Sequence, residues 1–465
     1  MRLTGEEMTV GCLPRCQSTH QGILHPLSSV VPRKAISTAV LLLVALLNIV
    51  GPARAQPQVA SKSEATLLSA ENEELAARLE SLNNDIRSKG IHDFPGAGGK
   101  LLTGYAYGEY YDWDLYFENI YLSYYGVSKY DFTNFKVFLD RQQPDGFVSR
   151  TLGITYPRPT QMFKPFLAQI AVLGSKQNGD DYEWLRAKYY EQLQKYLDRW
   201  FAYDTDGNGL PVWNSSDASG MDNQLSRSGS FDTYEDEGVD LACYLFRELQ
   251  AMEIIAGKLG KKNDKATYKA HAERLANAIN KVFWDDKDGF YYDRNQKSGK
   301  RIPVKSVAGF LPLWAGVASP QQAERLVHEH LLNKSEFWLA YPVATYAKSE
   351  PDFYEGTHGE CNWRGPAWIP TNYMILHGLM DYGFTEVAQR LSEKTFHMAL
   401  KNNPATREYY NSDSGTGNGM NPFWGWSSLA YVMPLDLREG YNPMNQEKPI
   451  QPLITKRLGI PFDDK

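Results

Sequence analysis

The 465-residue sequence lacks most of the patterns that mark metal-dependent and nucleotide-dependent enzymes. It contains no His-Glu-x-x-His pair, no Cys-x-x-Cys pair and no histidine cluster at ligand spacing, which argues against a catalytic metal. It also contains no Gly-x-Ser-x-Gly elbow and no Gly-rich phosphate loop ending in Lys-Ser or Lys-Thr. Their absence argues against the common serine hydrolases and nucleotide-binding folds.

Cysteine is also scarce, and the charge balance is slightly acidic. Of four cysteines, only Cys243 and Cys361 lie beyond the export signal described below, which is too few for a disulfide framework. The two could form one bridge or remain buried thiols. The net charge of −6 argues against a nucleic acid or an anionic membrane as partner. Aromatic residues, at 13%, are abundant and suit both sugar stacking and buried helices.

The N-terminal region has the pattern of an export signal. Arg33-Lys34 precedes an apolar run over residues 35–50, and the small-residue site Ala53-Arg54-Ala55 follows. We expect cleavage after Ala55, with residues 1–55 as a signal peptide whose n-region is atypically long, and a periplasmic or secreted protein. The run is short for a transmembrane helix, and an uncleaved anchor is the alternative.

Apolar residues along the rest of the chain recur mostly with helical spacing, and strand character is confined to short pieces such as residues 289–292. With the period of 3.6 residues and Gly or Pro as boundaries, the sequence predicts twelve helices. They cover approximately residues 64–89, 114–126, 131–143, 161–174, 181–202, 235–259, 264–283, 304–317, 320–332, 366–382, 385–402 and 424–435.

These helices are of two kinds. Those beginning near residues 161, 304 and 366 are apolar nearly all round, whereas those near 181 and 264 are amphipathic. Two concentric rings require this alternation, so we expect an all-α (α/α)₆ barrel, a toroid of six helical hairpins. An irregular α-superhelix or two bundles is the alternative. The predicted divisions after the signal peptide are a leader with the first helix (56–99), the catalytic barrel (100–440) and a C-terminal tail (441–465).

Four long connections, at residues 90–113, 204–234, 348–365 and 403–423, are rich in Gly, Asp, Asn and aromatic residues. Compact domains seldom retain such loops unless they bind something. In an α/α barrel such loops gather at one end, so we expect them to wall a pocket.

One of these loops begins like a calcium loop. Asp204, Asp206 and Asn208 stand at alternate positions and Gly209 comes sixth, but position twelve is Ser215 instead of the bidentate Glu. The pattern favours an Asx turn. We expect no resident cofactor, with calcium at these three residues as the alternative.

Two acids in the loops have the character that glycoside hydrolysis requires. That reaction uses one protonated carboxyl group and one ionised carboxylate, placed in different surroundings so that their pKa values separate. Asp222 lies in the turn Ser219-Gly-Met-Asp-Asn-Gln224, and Glu408 lies in Arg407-Glu-Tyr-Tyr-Asn411 before a Gly-rich stretch. From the residues alone, either acid could equally be a solvated loop residue.

Five blocks in order carry a resemblance to known enzymes. They are Tyr111-Asp-Trp-Asp114; Asp145-Gly-Phe-Val-Ser-Arg150 with Arg158-Pro-Thr-Gln161; residues 204–210 with Trp213 and residues 219–223; Asn362-Trp-Arg-Gly-Pro-Ala-Trp368; and Glu408-Tyr-Tyr-Asn411 with Phe423-Trp-Gly-Trp-Ser427. With these blocks, the chain resembles the trehalase-like and processing α-glucosidase group, glycoside hydrolase families 37 and 63. In length it is most similar to the bacterial mannosylglycerate and glucosylglycerate hydrolases.

The resemblance implies an (α/α)₆ barrel and an inverting α-glycosidase acting on a small α-linked oligosaccharide or glycoside. It places the general acid at Asp222 and the general base at Glu408. From their chemistry, aromatic faces would stack on sugar rings, and polar groups would bind hydroxyls or a charged aglycone; some of these residues could instead be core or cap. The predicted substrate-binding residues are Tyr111, Trp113, Asp114, Arg150, Gln161, Trp213, Asn223, Trp363, Arg364, Trp368 and Trp426.

The sequence departs from the group at one block. The trehalase signature Gln-Trp-Asp-Tyr-Pro-Asn is absent, and Asn362 stands where family 63 commonly has Tyr before the Trp. Two other functions stay open at this point. One is a sugar epimerase or lyase on the same barrel, for which His358 and His377 are candidates. The other is a non-catalytic sugar-binding protein, which would not need Glu408.

Overall fold

A computed structural model describes residues 62–104, 109–153, 161–213, 216–224, 235–356, 361–402 and 405–463. The predicted signal peptide lies outside these ranges, as do Arg158 and His358. Within them, no helix combines the length and the apolar character that crossing a membrane requires.

The chain divides into two units. The described part of the smaller unit, Pro14–Glu74, belongs to the first half of helix α1 (Lys62–Asp85). The larger unit contains Leu75–Lys465 and all the elements described below.

Helices dominate the described residues, and the α-helices are numbered in chain order. After α1 they are α2 (Asp112–Ser123), α3 (Lys129–Leu139), α4 (Leu167–Gln177), α5 (Tyr189–Phe201), α6 (Val239–Lys258), α7 (Lys262–Val282), α8 (Leu311–Ala315), α9 (Pro320–Arg325), α10 (Ile369–Asp381), α11 (Thr385–Lys401), α12 (Met433–Glu439) and α13 (Leu453–Leu458). Shorter 3₁₀ and π segments are Ile86–Gly90, Glu183–Leu185, Ser216–Ser219, Val307–Phe310, Leu326–Leu331 and Trp426–Tyr431.

Strands in the described residues have two or three residues each, and all pair antiparallel. The pairs are Ile91–Asp93 with Lys100–Leu102, Tyr110–Tyr111 with Thr151–Leu152, Trp284–Asp285 with Phe290–Tyr291, Tyr409–Tyr410 with Gly417–Asn418, and Asp236–Glu237 with Arg294–Asn295, which also pairs with Lys300–Arg301. They stiffen the connections between helices and form no common sheet.

Six helical segments of the described chain close an inner ring. Helix α2 packs on α4, α4 on α6, α6 on α8, α8 on α10, α10 on Trp426–Tyr431, and that segment on α2. Every residue of α2 is buried, as are residues 369–379 of α10. Helices covered on both sides need apolar residues all round, which accounts for their sequences.

Helices α3, α7 and α11 pack outside this ring. Helix α3 packs on α2 and α4, α7 packs on α6, and α11 packs on α10. Helix α7 buries only Ala272, Leu275 and Ile279, a single stripe at helical spacing. The two layers are those of the predicted (α/α)₆ barrel. Cys243, on the inner helix α6, is a buried free thiol, which leaves no bridge between it and Cys361.

Two predicted helix starts were wrong. The helix predicted from residue 161 begins at Leu167, because Pro165 disfavours a helical conformation at the residue before it. Residues 161–163 are instead extended: Arg150 N–H donates to the Gln161 carbonyl at 2.8 Å, and Phe163 N–H donates to the Val148 carbonyl at 2.8 Å. The helix predicted from residue 181 contains a 3₁₀ turn, and its α-helical part begins at Tyr189.

Other boundaries also differ. The segments predicted at 304–317 and 424–435 each begin as a 3₁₀ turn and continue as a short α-helix, α8 or α12, with Pro in its first turn. Proline at the start of a helix is favourable, because the missing N–H has no partner there anyway. Helix α13 lies in what the sequence predicted to be a tail.

Candidate active site

The N-terminal ends of the inner helices meet around one group of tryptophans. Trp113 lies in the first turn of α2, Trp363 precedes α10, and Trp426 begins the last inner segment. The ring centroid of Trp113 lies 5.7 Å from that of Trp363 and 5.6 Å from that of Trp426. These predicted site residues, from three distant parts of the chain, therefore lie together at one end of the barrel.

Trp363 is supported from behind by a column of stacked rings. Its ring centroid lies 3.8 Å from that of Trp368, with 15° between the planes, and Trp368 stacks in turn on Tyr409 at 4.8 Å. Trp368 Nε1 donates a hydrogen bond to the Asn362 carbonyl at 2.8 Å. Trp368 therefore fixes the plane of Trp363 and connects it to the strand that follows Glu408.

The Glu408 carboxyl group is buried and held from several sides. Its Oε2 accepts a hydrogen bond from Met420 N–H at 2.9 Å, and Cys361 Sγ lies 3.6 Å from its Oε1. The Glu408 carbonyl accepts from Trp426 Nε1 at 2.9 Å. A carboxyl group fixed in this way is pre-organised for proton transfer.

Charge around Glu408 changes its acidity. Burial, and then the charges of Asp114 and Asp222, raise the pKa of Glu408 to about 8, although the hydrogen bond from Met420 opposes the rise. Both aspartates therefore lie within electrostatic range of Glu408. The structure brings together the two acids that the sequence places 186 positions apart, with Asp114 beside them.

The turn that carries Asp222 is fastened to the segment before α10. Asn223 Oδ1 accepts from Trp363 N–H at 2.7 Å, and Asn223 Nδ2 donates to Asn362 Oδ1 at 3.2 Å. Gln224 Nε2 donates to the Trp363 carbonyl at 3.1 Å. These bonds fix Asp222 relative to the Trp363 ring.

An ion pair that the sequence did not reveal lies beneath this turn. Lys164 Nζ is 2.9 Å from Asp112 Oδ1, both side chains are fully buried, and Lys164 N–H also donates to Asp112 Oδ2 at 2.9 Å. Burial, and then the charge of Arg150, lower the pKa of the Lys164 ammonium, which the Asp112 charge opposes. Asp112 does stand inside the Tyr111-Asp-Trp-Asp114 block, but nothing in the sequence links it to Lys164.

Three other predicted site residues lie around this pair. Arg150 Nη1 donates to Gln161 Oε1 at 3.1 Å, and Arg150 Nε lies 3.8 Å from Asp112 Oδ1. The Arg150 guanidinium also lies 5.8 Å from the ring centroid of Tyr111. Arg150 and Gln161 therefore bind each other in this structure, and their contact with a sugar remains a prediction.

Glu118 is another buried acid that the sequence did not predict to lie near the site. It lies one turn after Asp114 on α2 and is buried. Burial, and then the Asp114 charge, raise the pKa of Glu118 well above its usual value. The backbone of Gly104 packs against it, since a Cβ on Gly104 would stand 2.4 Å from Glu118 Oε1. The i, i+4 spacing from Asp114 was the available signal.

Trp213 and Arg364 differ in how far their polar groups are already engaged. Trp213 is buried, and its Nε1 donates to Asp240 Oδ1 at 3.0 Å. The Arg364 guanidinium lies 5.5 Å from the ring centroid of Tyr354, and its buried Nε has no hydrogen-bond partner in the described part of the chain. Arg364 thus retains donor capacity for a ligand.

The loop at Asp204 is bonded internally. Asp204 Oδ1 and Oδ2 accept from the N–H groups of Gly207 and Gly209, each at 2.9 Å. Arg294 Nη1 lies 3.0 Å from Asp206 Oδ2 and 2.7 Å from Glu237 Oε1. No three His, Cys, Asp or Glu side chains of the described residues are grouped so that they could hold a metal ion.

His377, one candidate for an epimerase or lyase, lies in the core. It is buried on α10, with Nε2 3.2 Å from Asp436 Oδ2. Its ring also packs edge-on against Tyr373 at 4.6 Å.

Comparison with known proteins agrees with this fold. Residues 107–427 match the family described as mannosylglycerate hydrolase MGH1-like glycoside hydrolase domain. A mannosylglycerate hydrolase of Thermus thermophilus is 37% identical over 150 residues, which is 32% of this chain and 33% of the relative. Mannosylglycerate hydrolase MGH1 of Selaginella moellendorffii is 31% identical over 177 residues, 38% of this chain and 34% of the relative. The chain thus spans about a third of the length of these curated relatives.

Solved structures share the fold. A family 63 mannosylglycerate hydrolase of Thermus thermophilus, in complex with Tris and D-glycerate, has a TM-score of 0.62 at 22% identity, covering 77% of this chain and 100% of that chain. The neutral trehalase Nth1 of Saccharomyces cerevisiae has a TM-score of 0.54 at 17% identity, covering 82% and 85%.

Proposed function

Since the chain belongs to the mannosylglycerate hydrolase MGH1-like family of glycoside hydrolases, we propose that it hydrolyses a small α-linked glycoside with inversion at the anomeric carbon. Asp222 is the general acid that protonates the leaving oxygen. Glu408 is the general base that removes a proton from the attacking water.

The charge coupling among Asp114, Asp222 and Glu408 is the observation that supports this function best. Like charges in a buried site oppose full ionisation, so such a cluster retains a proton at a pH where isolated carboxyl groups have lost theirs. An inverting hydrolase needs that state, one carboxyl group protonated and another ionised. Protonation of Asp222 removes one of the charges that raise the pKa of Glu408 and so favours its ionised form, although burial, the largest cause of the rise, remains.

The aromatic residues at the site supply the surface for the sugar. The rings of Trp363 and Trp426 both pack against that of Trp113, and aromatic faces bind the C–H faces of sugar rings. Asp114, in the first turn of α2, would accept hydrogen bonds from sugar hydroxyls.

Two leaving groups fit this site. A neutral sugar as leaving group agrees with the predicted export, because an exported enzyme would encounter trehalose or a similar disaccharide outside the cell. Glyceric acid is the second candidate, and the donor capacity of Arg364 favours it, since guanidinium groups bind carboxylates in a bidentate manner. The mannosylglycerate hydrolases among its relatives point the same way.

The experiment is a screen of released monosaccharide across trehalose, nigerose, kojibiose, maltose and glycosylglycerates, with proton NMR of the first-formed sugar. We expect release from one class and the β anomer from its α-linked substrate. Release of the α anomer, or no release from any of these α-glycosides, would contradict the proposal. If glycosylglycerate is the substrate, Arg364→Met should raise KM for it and leave KM for a neutral α-glycoside nearly unchanged.

A further inference from the structure

The turn that carries Asp222 rests on a buried cation. Gly220 lies two residues before Asp222, and a Cβ on it would stand 3.1 Å from Trp113 Cζ2 and 3.2 Å from Lys164 Nζ. Gly220 has a φ of +78°, where a side chain is strained as well as crowded. The turn therefore lies directly against the Lys164 ammonium and the Trp113 ring.

Lys164 joins its own segment to two other parts of the chain. Its Nζ bonds Asp112 at the start of α2, lies 4.9 Å from the ring centroid of Trp113, and touches the Gly220 turn. Lysine is flexible, so a single well-defined position requires contacts on every side, and these contacts supply them.

A buried ion pair usually adds little to the free energy of unfolding. Removing two charges from water costs several kcal/mol per ion, and well-packed apolar side chains often do equally well. The ion pair does give a fixed position, because Asp112 accepts from the ammonium through both carboxylate oxygens, at 2.9 and 3.1 Å.

We propose that Lys164, held by Asp112, is a positioning residue for the general acid. Its side chain packs against the turn that carries Asp222 and fixes the position and orientation of that turn. This inference rests on the proposed role of Asp222. Lys164 itself touches neither the leaving oxygen nor the water. Displacing the turn would slow protonation of the leaving group and leave water activation at Glu408 intact.

Lys164→Met tests this, because methionine keeps most of the length of the side chain and loses the charge. On an α-glycoside with a poor leaving group we expect kcat to fall by roughly 10²-fold, the order of loss that a misplacement of about 1 Å produces. On the corresponding α-glycosyl fluoride, whose leaving group needs little protonation, kcat should fall less than about threefold. KM for both substrates should change little.

Lys176→Met is the matched control. Lys176 is another partly buried lysine, at the C-terminal end of α4, where its Nζ donates to the Asn445 carbonyl at 2.7 Å. It should lose no more activity on one substrate than on the other. Because Lys164→Met removes the buried ammonium that bonds Asp112, Asp112→Asn with Lys164→Met is made alongside, and thermal melting establishes which variants are folded.

Asp222→Asn separates this inference from the proposed function. If Asp222→Asn is not selectively impaired on the poor leaving group, the acid assignment itself fails, and with it the role of Lys164. If Asp222→Asn is selectively impaired while folded Lys164 variants lose both activities equally, the positioning role is overturned. Loss of folding in both Lys164 variants would assign the pair to stability and would also overturn it.

Discussion

The Glu408 carboxylate lies in space that only glycine at position 419 leaves open. A Cβ on Gly419 would stand 2.4 Å from Glu408 Oε2 and 2.7 Å from Glu408 Cβ, and Gly419 has a φ of +71°. The Gly-rich stretch after Glu408 therefore helps to position the proposed general base, because Gly419 lies next to Met420, whose N–H binds the same oxygen.

Gly419→Ala should reduce kcat by at least about tenfold, because the new methyl group must push the Glu408 carboxylate from its position. Steady-state kinetics measures this. Gly459→Ala is the control: Gly459 has a φ of +67° with nothing within 4 Å of its Cβ position, so it incurs the same backbone strain of roughly 1–2 kcal/mol without displacing a side chain. Equal losses in the two variants would show that backbone strain alone is responsible.

Asp114→Asn should move the acidic limb of the kcat/KM profile to lower pH. Glu408 must be ionised to act as base, so activity falls as the pH falls through its pKa. The Asp114 charge raises that pKa, and removing the charge lowers it. The shift is read from kcat/KM against pH, even where the rate itself is reduced. Asp131→Asn on α3, whose carboxyl bonds Gln177, should leave the limb in place. An unmoved limb in Asp114→Asn would contradict the role of Glu408 as base.

Activity should survive prolonged treatment with EDTA. Asp204 already accepts two backbone N–H groups, and Arg294 supplies positive charge between Asp206 and Glu237. The assay compares EDTA-treated protein with and without added calcium. Complete loss that calcium restores would instead place a functional ion at Asp204, Asp206 and Asn208.

The mature N-terminus should be Gln56, because the small-residue site Ala53-Arg54-Ala55 follows the apolar run. Intact-mass measurement of protein recovered from the periplasm or the medium tests this. A mass that includes residues 35–50 would favour the uncleaved anchor.

The sequence predicts the fold well where burial alone determines the pattern. Helix α10 is apolar all round and belongs to the inner ring, whereas α7, with one buried stripe, packs outside it. The sequence predicts helix boundaries less well where a local backbone preference competes with the burial pattern. At Pro165 that preference moves the start of α4 to Leu167. Family blocks predicted Asp222 and Glu408 as the catalytic pair, and in the structure the two lie within electrostatic range of each other, while their roles stay a prediction.

The unpredicted parts of the site depend on tertiary contacts. Asp112 and Lys164 are 52 positions apart, and no local spacing indicates that they pair. The i, i+4 spacing indicates that Glu118 shares a helix face with Asp114, but its burial depends on the packing of Gly104 and the ring of helices. Burial and pairing of charges between distant segments cannot be read from periodicity.

The most direct test of the proposed acid and base roles compares Asp222→Asn and Glu408→Gln on two substrates, the preferred α-glycoside and its α-glycosyl fluoride. A positioned acid or base supplies about 10²–10⁴-fold, so both variants should lose at least about 10²-fold on the glycoside. Asp222→Asn should recover most of its activity on the fluoride, whereas Glu408→Gln should stay impaired, because water must still be activated. The reverse pattern would make Glu408 the acid and Asp222 the base. Near-normal turnover of the glycoside by either variant would contradict the assignment of that residue as acid or base.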